Sequence, residues 1–196
     1  GDFIVIGAEP SVGKTAFALN LARNAAVEFG EGVAFFSLEM TDMELTDRLI
    51  ASESGISADK LKGKVKMNPE EWVVLEQSIK RLVKAPLYID ETPGITLTEF
   101  TAKAKRLVRE KGVKIIFVDY LQLMHSGKPQ QGGFSKVQEV TEISNTLKTT
   151  AKDLKVPIIA LAQLNRNLMS RAGSNGKPVL SDLKDSGSIE QDADMV

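Results

Sequence analysis

The chain has 196 residues, 42% of them hydrophobic and 26% charged, with a formal net charge of −1; this suits one globular domain with a sizeable core. It is not a polycation that coats nucleic acid, so any contact with DNA or RNA must come from a local cluster. The absence of cysteine excludes disulfides and Cys-based zinc sites and fits a cytoplasmic protein, and no apolar run is long enough to span a membrane.

The first element is a short apolar strand, Phe3-Ile4-Val5-Ile6. Residues 8 to 15 follow as Ala8-Glu9-Pro10-Ser11-Val12-Gly13-Lys14-Thr15, and then Ala16 to Ala22, made of good helix formers. Strand, tight loop ending in Gly-Lys-Thr, then helix is the context of a phosphate-binding P-loop. Gly13 lets backbone N–H groups close on a phosphate at a helix N-terminus. Lys14 supplies a mobile positive charge for the β- and γ-phosphates, and the Thr15 hydroxyl can hold Mg²⁺. The usual first glycine is replaced by Ala8, with Gly7 one place earlier.

The first helix (about 14–29) is apolar on most sides, which predicts burial against a sheet. Val33 to Leu38 reads as the second strand, and Thr41 as the N-cap of the next helix with Glu44 as capping-box partner. Asn68-Pro69 opens another helix, whose Trp72, Leu75, Ile79, Leu82 and Val83 form one face expected in the core. Leu87-Tyr88-Ile89 is a third strand, and Thr98 is read as capping a helix with Phe100, Ala104, Leu107 and Val108 inward. Ile115 to Val118 carries no polar residue, as a central parallel strand would. A polar loop at 125–135 contains His125, to which no catalytic role is given. Val140, Ile143, Leu147, Ala151 and Leu154 form the inner face of the next helix, Pro157 to Ala162 is the fifth strand, and residues 165–181 are loop-like. Alternating apolar runs and helical patterns predict an α/β fold, a mostly parallel central sheet flanked by helices. A further apolar strand is expected to start at Asp194-Met195-Val196, so the chain is read as a single core domain cut at its C-terminal end.

Asp119 directly follows an apolar strand, where a Walker B aspartate must stand to reach the Mg²⁺ shell. Attack of water on the γ-phosphorus needs a group that orients or deprotonates it. Glu39, at the end of the second strand, is one candidate, and Asp90 and Glu91 at the end of the third are rivals. Gln163, at the end of the fifth strand, could sense the γ-phosphate.

Together the P-loop, Ser37-Leu38-Glu39-Met40, Asp90 to Gly94, Val118 to Met124, Ala162 to Arg166 and Ser186 to Asp194 resemble the replicative DNA helicase DnaB family, in its C-terminal RecA-like motor domain. The resemblance implies a RecA-like P-loop NTPase fold and an ATP- and Mg²⁺-dependent helicase. It implies a hexameric ring with ATP between neighbouring motor domains and single-stranded DNA in the channel. Primase and a helicase loader are the implied partners. It assigns Lys14 and Thr15 to Walker A, Asp119 to Walker B, Glu39 to activation of water and Gln163 to γ-phosphate sensing. It reads Lys184, Asp185, Ser186 and Gly187 as a loop holding the DNA backbone. Glu9 stands where many members carry arginine, and Lys184-Asp185 where Arg-Glu is usual; lysine keeps the charge but loses the bidentate fork. The family's arginine finger is expected beyond residue 196. The same fold also serves strand-exchange and clock-type ATPases and nucleotide-dependent loader modules, and fold alone does not choose among them.

Overall fold

The structure, a computed structural model, describes residues 1–127, 135–164, 183 and 187–196. Among these, five strands form one sheet: β1 (Phe3–Ala8), β2 (Gly32–Ser37), β3 (Leu87–Asp90), β4 (Val113–Asp119) and β5 (Ile158–Gln163). The order is β1-β5-β4-β2-β3, and every pairing is parallel. The last of the described strands therefore inserts between the first and the fourth. The carboxyl ends of all five lie along one edge of the sheet, where α/β folds bind ligands.

The helices are α1 (Lys14–Arg23), running into a π-helical turn at Asn24–Glu28, then α2 (Asp42–Ser54), α3 (Ala58–Leu61), α4 (Pro69–Lys84), α5 (Leu97–Lys111), α6 (Lys136–Leu154) and α7 (Gly187–Asp192). The side-chain period of two splits the strands between two cores. On one face Phe36, Ile116, Val118 and Ile158 meet Phe100, Val140, Ile143 and Leu147 of α5 and α6. On the other Phe35, Phe117 and Leu161 meet Leu19 of α1 and Leu45 and Leu49 of α2. The neighbouring β2 rings divide accordingly: Phe35 stacks on Phe117 and Phe36 meets Phe100 edge-on.

Local signals set the helix starts. Thr41 and Glu44 make a reciprocal capping box, as do Asn68 and Glu71 ahead of Pro69. The fifth helix is capped by Thr96 and not by Thr98: Thr96 Oγ1 accepts from the Glu99 amide at 3.3 Å, which leaves Thr98 inside the first turn. Asp119 is the last residue of β4, a strand two residues longer at its start than its apolar run. At 194–196, where a further strand is expected to start, the structure has a single isolated bridge, Ile4 with Met195, and no strand. The Val5 amide donates to Met195 O at 2.9 Å and the Asp194 amide to Phe3 O at 2.8 Å, beside β1.

Two helices are less buried than their sequences imply. On α1, Ala18, Leu19 and Ala22 are buried, but Phe17 and Leu21 face solvent. On α4 the expected core face is largely exposed: Trp72 keeps 57% and Val83 79% of its surface accessible. Ser78 alone of this helix is buried. Its amphipathic pattern is real, but the sheet face is already covered by α1 and α2, and α4 packs outside them. Ion pairs fasten it there. The Glu53 carboxylate, with no side-chain exposure, receives Arg23 from α1 and Arg81 Nη1 from α4 at 2.8 Å. Arg23 and Arg81 also share Glu28, and Lys60 pairs with Glu71.

Candidate active site

The first strand ends at Ala8 and gives way to a loop that turns through two left-handed residues, Ser11 (φ 66°) and Gly13 (φ 94°), before α1. Gly13 can take this conformation without the penalty a side chain would bring, and an added Cβ there would meet nothing within 4 Å. Its carbonyl accepts the Phe17 amide at 2.9 Å, so the first N–H groups of α1 point into the loop.

That loop forms one wall of a cavity of about 640 Å³. Glu9, Pro10, Ser11, Gly13, Lys14 and Thr15 line it from the P-loop side. Glu39, Met40, Tyr120 and Gln163 come from the ends of β2, β4 and β5, and Glu44 and Arg48 from α2. The register explains the convergence: Ala8 pairs with Gln163, and Ser37 with Asp119, so β1, β5, β4 and β2 end side by side.

Asp119 sits behind the cavity wall, fully buried. Neither of its oxygens has a hydrogen-bond partner among the described residues. Burial pushes its carboxyl above the usual aspartate range and the Glu39 charge adds to this, while the nearby Thr15 hydroxyl and Lys14 favour its ionised form. Burial likewise lowers the Lys14 ammonium, against the pull of Asp119 and Glu39. The ammonium lies 4.5 Å from the centre of the Tyr120 ring, over its face. Burial and the same two carboxylates raise the Tyr120 phenol.

A buried carboxylate with two free oxygens beside a threonine hydroxyl is an oxygen donor set suited to Mg²⁺. Asp119 and Thr15 are the residues that could hold it. Glu39 stands at the mouth, and its two rivals do not. Asp90 lies at the end of edge strand β3, where Lys103 Nζ pairs with it at 2.9 Å and the Thr92 hydroxyl at 2.6 Å. Glu91 accepts the Asp42 amide at 2.6 Å, at the start of α2. Gln163 is clasped by Gln122, whose Oε1 accepts the Gln163 amide at 3.3 Å and whose Nε2 donates to its carbonyl at 3.4 Å. Lys184, Asp185 and Ser186 lie outside the described residues. Gly187 opens α7, which is anchored by buried Ile189.

Three lining residues carry no site signal of their own in the sequence: Tyr120, Glu44 and Arg48. Tyr120 is the immediate neighbour of Asp119. Glu44 and Arg48 follow Met40 at intervals of four, so one face of α2 continues the Glu39 turn. That spacing is the signal from which they could have been found.

A parallel sheet with a Gly-Lys-Thr loop at the end of one strand, and a buried aspartate and a glutamine ending the strands beside it, defines a P-loop NTPase domain of the RecA type. Residues 1–196 match the DnaB-like helicase C terminal domain throughout, and the chain belongs to that family. It is 46% identical over 196 residues to the replicative DNA helicase DnaB of Geobacillus stearothermophilus and 45% to the replicative DNA helicase DnaC of Bacillus subtilis (strain 168). In both cases all of this chain matches 42% of the relative. Two solved structures superpose with a TM-score of 0.89 at 35% identity over 99% of the chain. One, described as a DnaB-like replicative helicase and its interactions with primase, is covered over 46% of its length; the other, described as an ATPase domain, over 68%. No described helix is long and apolar enough to cross a membrane.

Proposed function

We propose that the chain is the motor domain of a cytoplasmic replicative DNA helicase, which hydrolyses ATP to move along single-stranded DNA and unwind duplex. The observation that carries this reading is the gathering of Lys14, Thr15, Glu39 and Gln163 around one cavity, with Asp119 buried behind its wall and acting on Lys14 and Thr15. The P-loop from Ala8 to Thr15 wraps the phosphates with backbone N–H groups, and Lys14 reaches the β- and γ-phosphates. Thr15 and Asp119 hold Mg²⁺, which when bound neutralises charge on the phosphate oxygens. Glu39 orients the attacking water and accepts its proton. Gln163 contacts the γ-phosphate, and its backbone is tied to the turn after β4 through Gln122. Lys184 to Gly187 supplies phosphate-only contacts to DNA, which carry no sequence information and suit a motor that runs along any sequence.

The two relatives named above are replicative helicases, which favours this reading over a strand-exchange or clock-type ATPase. In the whole protein we place this domain in a hexameric ring that works with primase and a loader. The test is titration of a fluorescent ATP analogue with Mg²⁺ into the chain and its Lys14→Ala variant. Removing a charge-assisted phosphate interaction should weaken binding by about 10- to 100-fold. Equal binding by the two proteins would refute the P-loop assignment.

A further inference from the structure

Lys14 has an unusual resting place. Two carboxylates, Asp119 and Glu39, act on its ammonium, and Glu9, Glu44 and Arg48 line the same cavity. Yet the specific contact it makes is with a neutral ring, at 4.5 Å from the Tyr120 centroid. Asp119, meanwhile, is buried, with no ion-pair partner among the described residues and only the Thr15 hydroxyl as a polar neighbour acting on its carboxylate. Asp119 acts electrostatically on Lys14, and in a site partly shielded from water such an attraction is stronger than in bulk water. An ion pair between them would occupy both the charge meant for phosphate and the oxygens meant for a cation. The ring face offers the ammonium an attractive alternative without a counter-charge.

We propose that Tyr120 is a positioning residue: its ring holds the Lys14 ammonium off Asp119, keeping both free for nucleotide and cation. The inference rests on the nucleotide-site reading above. Removing the ring leaves Lys14 to fall onto Asp119, and incoming nucleotide must then break that ion pair. The phenol oxygen plays no part, so phenylalanine should serve as well as tyrosine.

The experiment measures affinity for a fluorescent ATP analogue with Mg²⁺ in the whole chain, comparing wild type with Tyr120→Phe, Tyr120→Leu and Tyr120→Met. Tyr120 lines the cavity and is partly buried against the Phe35–Phe117 core, so circular dichroism verifies that each variant folds. Tyr120→Phe should bind within about twofold of wild type, whereas Tyr120→Leu and Tyr120→Met should bind about fivefold more weakly, the size of a partly shielded cation–π contact. With EDTA in place of Mg²⁺, so that binding needs no cation ligand, Tyr120→Leu should still weaken binding beside Asp119 but have almost no further effect in an Asp119→Asn background, because the competing carboxylate is gone. Wild-type affinity in the leucine and methionine variants, a phenylalanine variant as weak as leucine, or an undiminished leucine effect in the asparagine background would each overturn the proposal. If Lys14→Ala binds nucleotide normally, the nucleotide-site reading itself fails. If Lys14→Ala does not bind while Tyr120→Leu binds as wild type, only the role of Tyr120 fails.

Discussion

Replacing Asp119 by asparagine should make the ligand-free domain more stable while removing its response to nucleotide. The side chain is fully buried, neither oxygen is hydrogen-bonded, and burial raises its pKa. A buried polar group without a partner costs about 1–3 kcal/mol, and more when charged. The Thr15 hydroxyl and nearby Lys14 offset part of this, and asparagine brings an amide with needs of its own, so the net gain should be roughly 2 kcal/mol at most. At about 2–4 °C per kcal/mol for a chain of this length, the melting temperature should rise by at most about 4–8 °C. The pH dependence has a definite sign. A carboxyl whose folded pKa lies above its unfolded value binds more protons folded than unfolded, so its penalty grows as pH rises from the unfolded value through the folded one. Wild type should therefore lose stability relative to Asp119→Asn across that window. The assay is thermal unfolding by circular dichroism, with and without Mg²⁺ and a non-hydrolysable ATP analogue. Wild type should gain stability from the ligands and the variant little. A variant less stable than wild type without ligand would show that Asp119 holds the fold together, and the argument for a cation site would be lost.

Glu39→Gln in the full-length enzyme should bind ATP but scarcely turn it over, lowering kcat far more than it changes KM; if Glu91→Gln does this instead, the wrong carboxylate has been assigned. Glu53→Ala should destabilise the domain by about 3 kcal/mol, the low end for breaking a buried ion pair because Arg81 is half exposed, as read by urea denaturation; a change under ~1 kcal/mol, the range of surface pairs, would contradict the buried-pair account. Lys184→Ala in the full-length enzyme should weaken single-strand binding equally for all sequences and lower the salt slope by about one unit for each phosphate that Lys184 neutralises; an unaltered slope would exclude phosphate binding by this side chain.

Much of this architecture can be read from local sequence because local physics dictates it. Capping boxes at Thr41 and Asn68, the apolar run before Asp119 and the Gly-Lys-Thr turn each depend on residues a few places apart. What could not be read is long-range. The insertion of β5 between β1 and β4 brings Gln163 beside Ala8, and nothing in either segment announces the other. Trp72 has the spacing of a core residue, but amphipathicity says only that a helix has an apolar face, and α1 and α2 had already taken the sheet. Tyr120 is visible in the strand-end motif, but its contact with Lys14 requires the two strand ends to be placed in space.

The exposed position of Trp72 has a practical consequence for spectroscopy. It is the only tryptophan in the chain, and it sits near the start of a helix fastened to the body by the Lys60–Glu71 pair nearby and by Arg81 towards the other end. Its side chain is more than half exposed when the protein is folded and lies outside the two cores, so its emission will follow its own surroundings on α4 more than the unravelling of the sheet. What it will register is the release of α4 itself. The partly exposed Lys60–Glu71 pair is screened by salt, while the buried Glu53 pairs are screened much less. Raising ionic strength should therefore free the tryptophan end of the helix first, and a fluorescence melt would then report an early, salt-sensitive local transition while circular dichroism still shows an intact core.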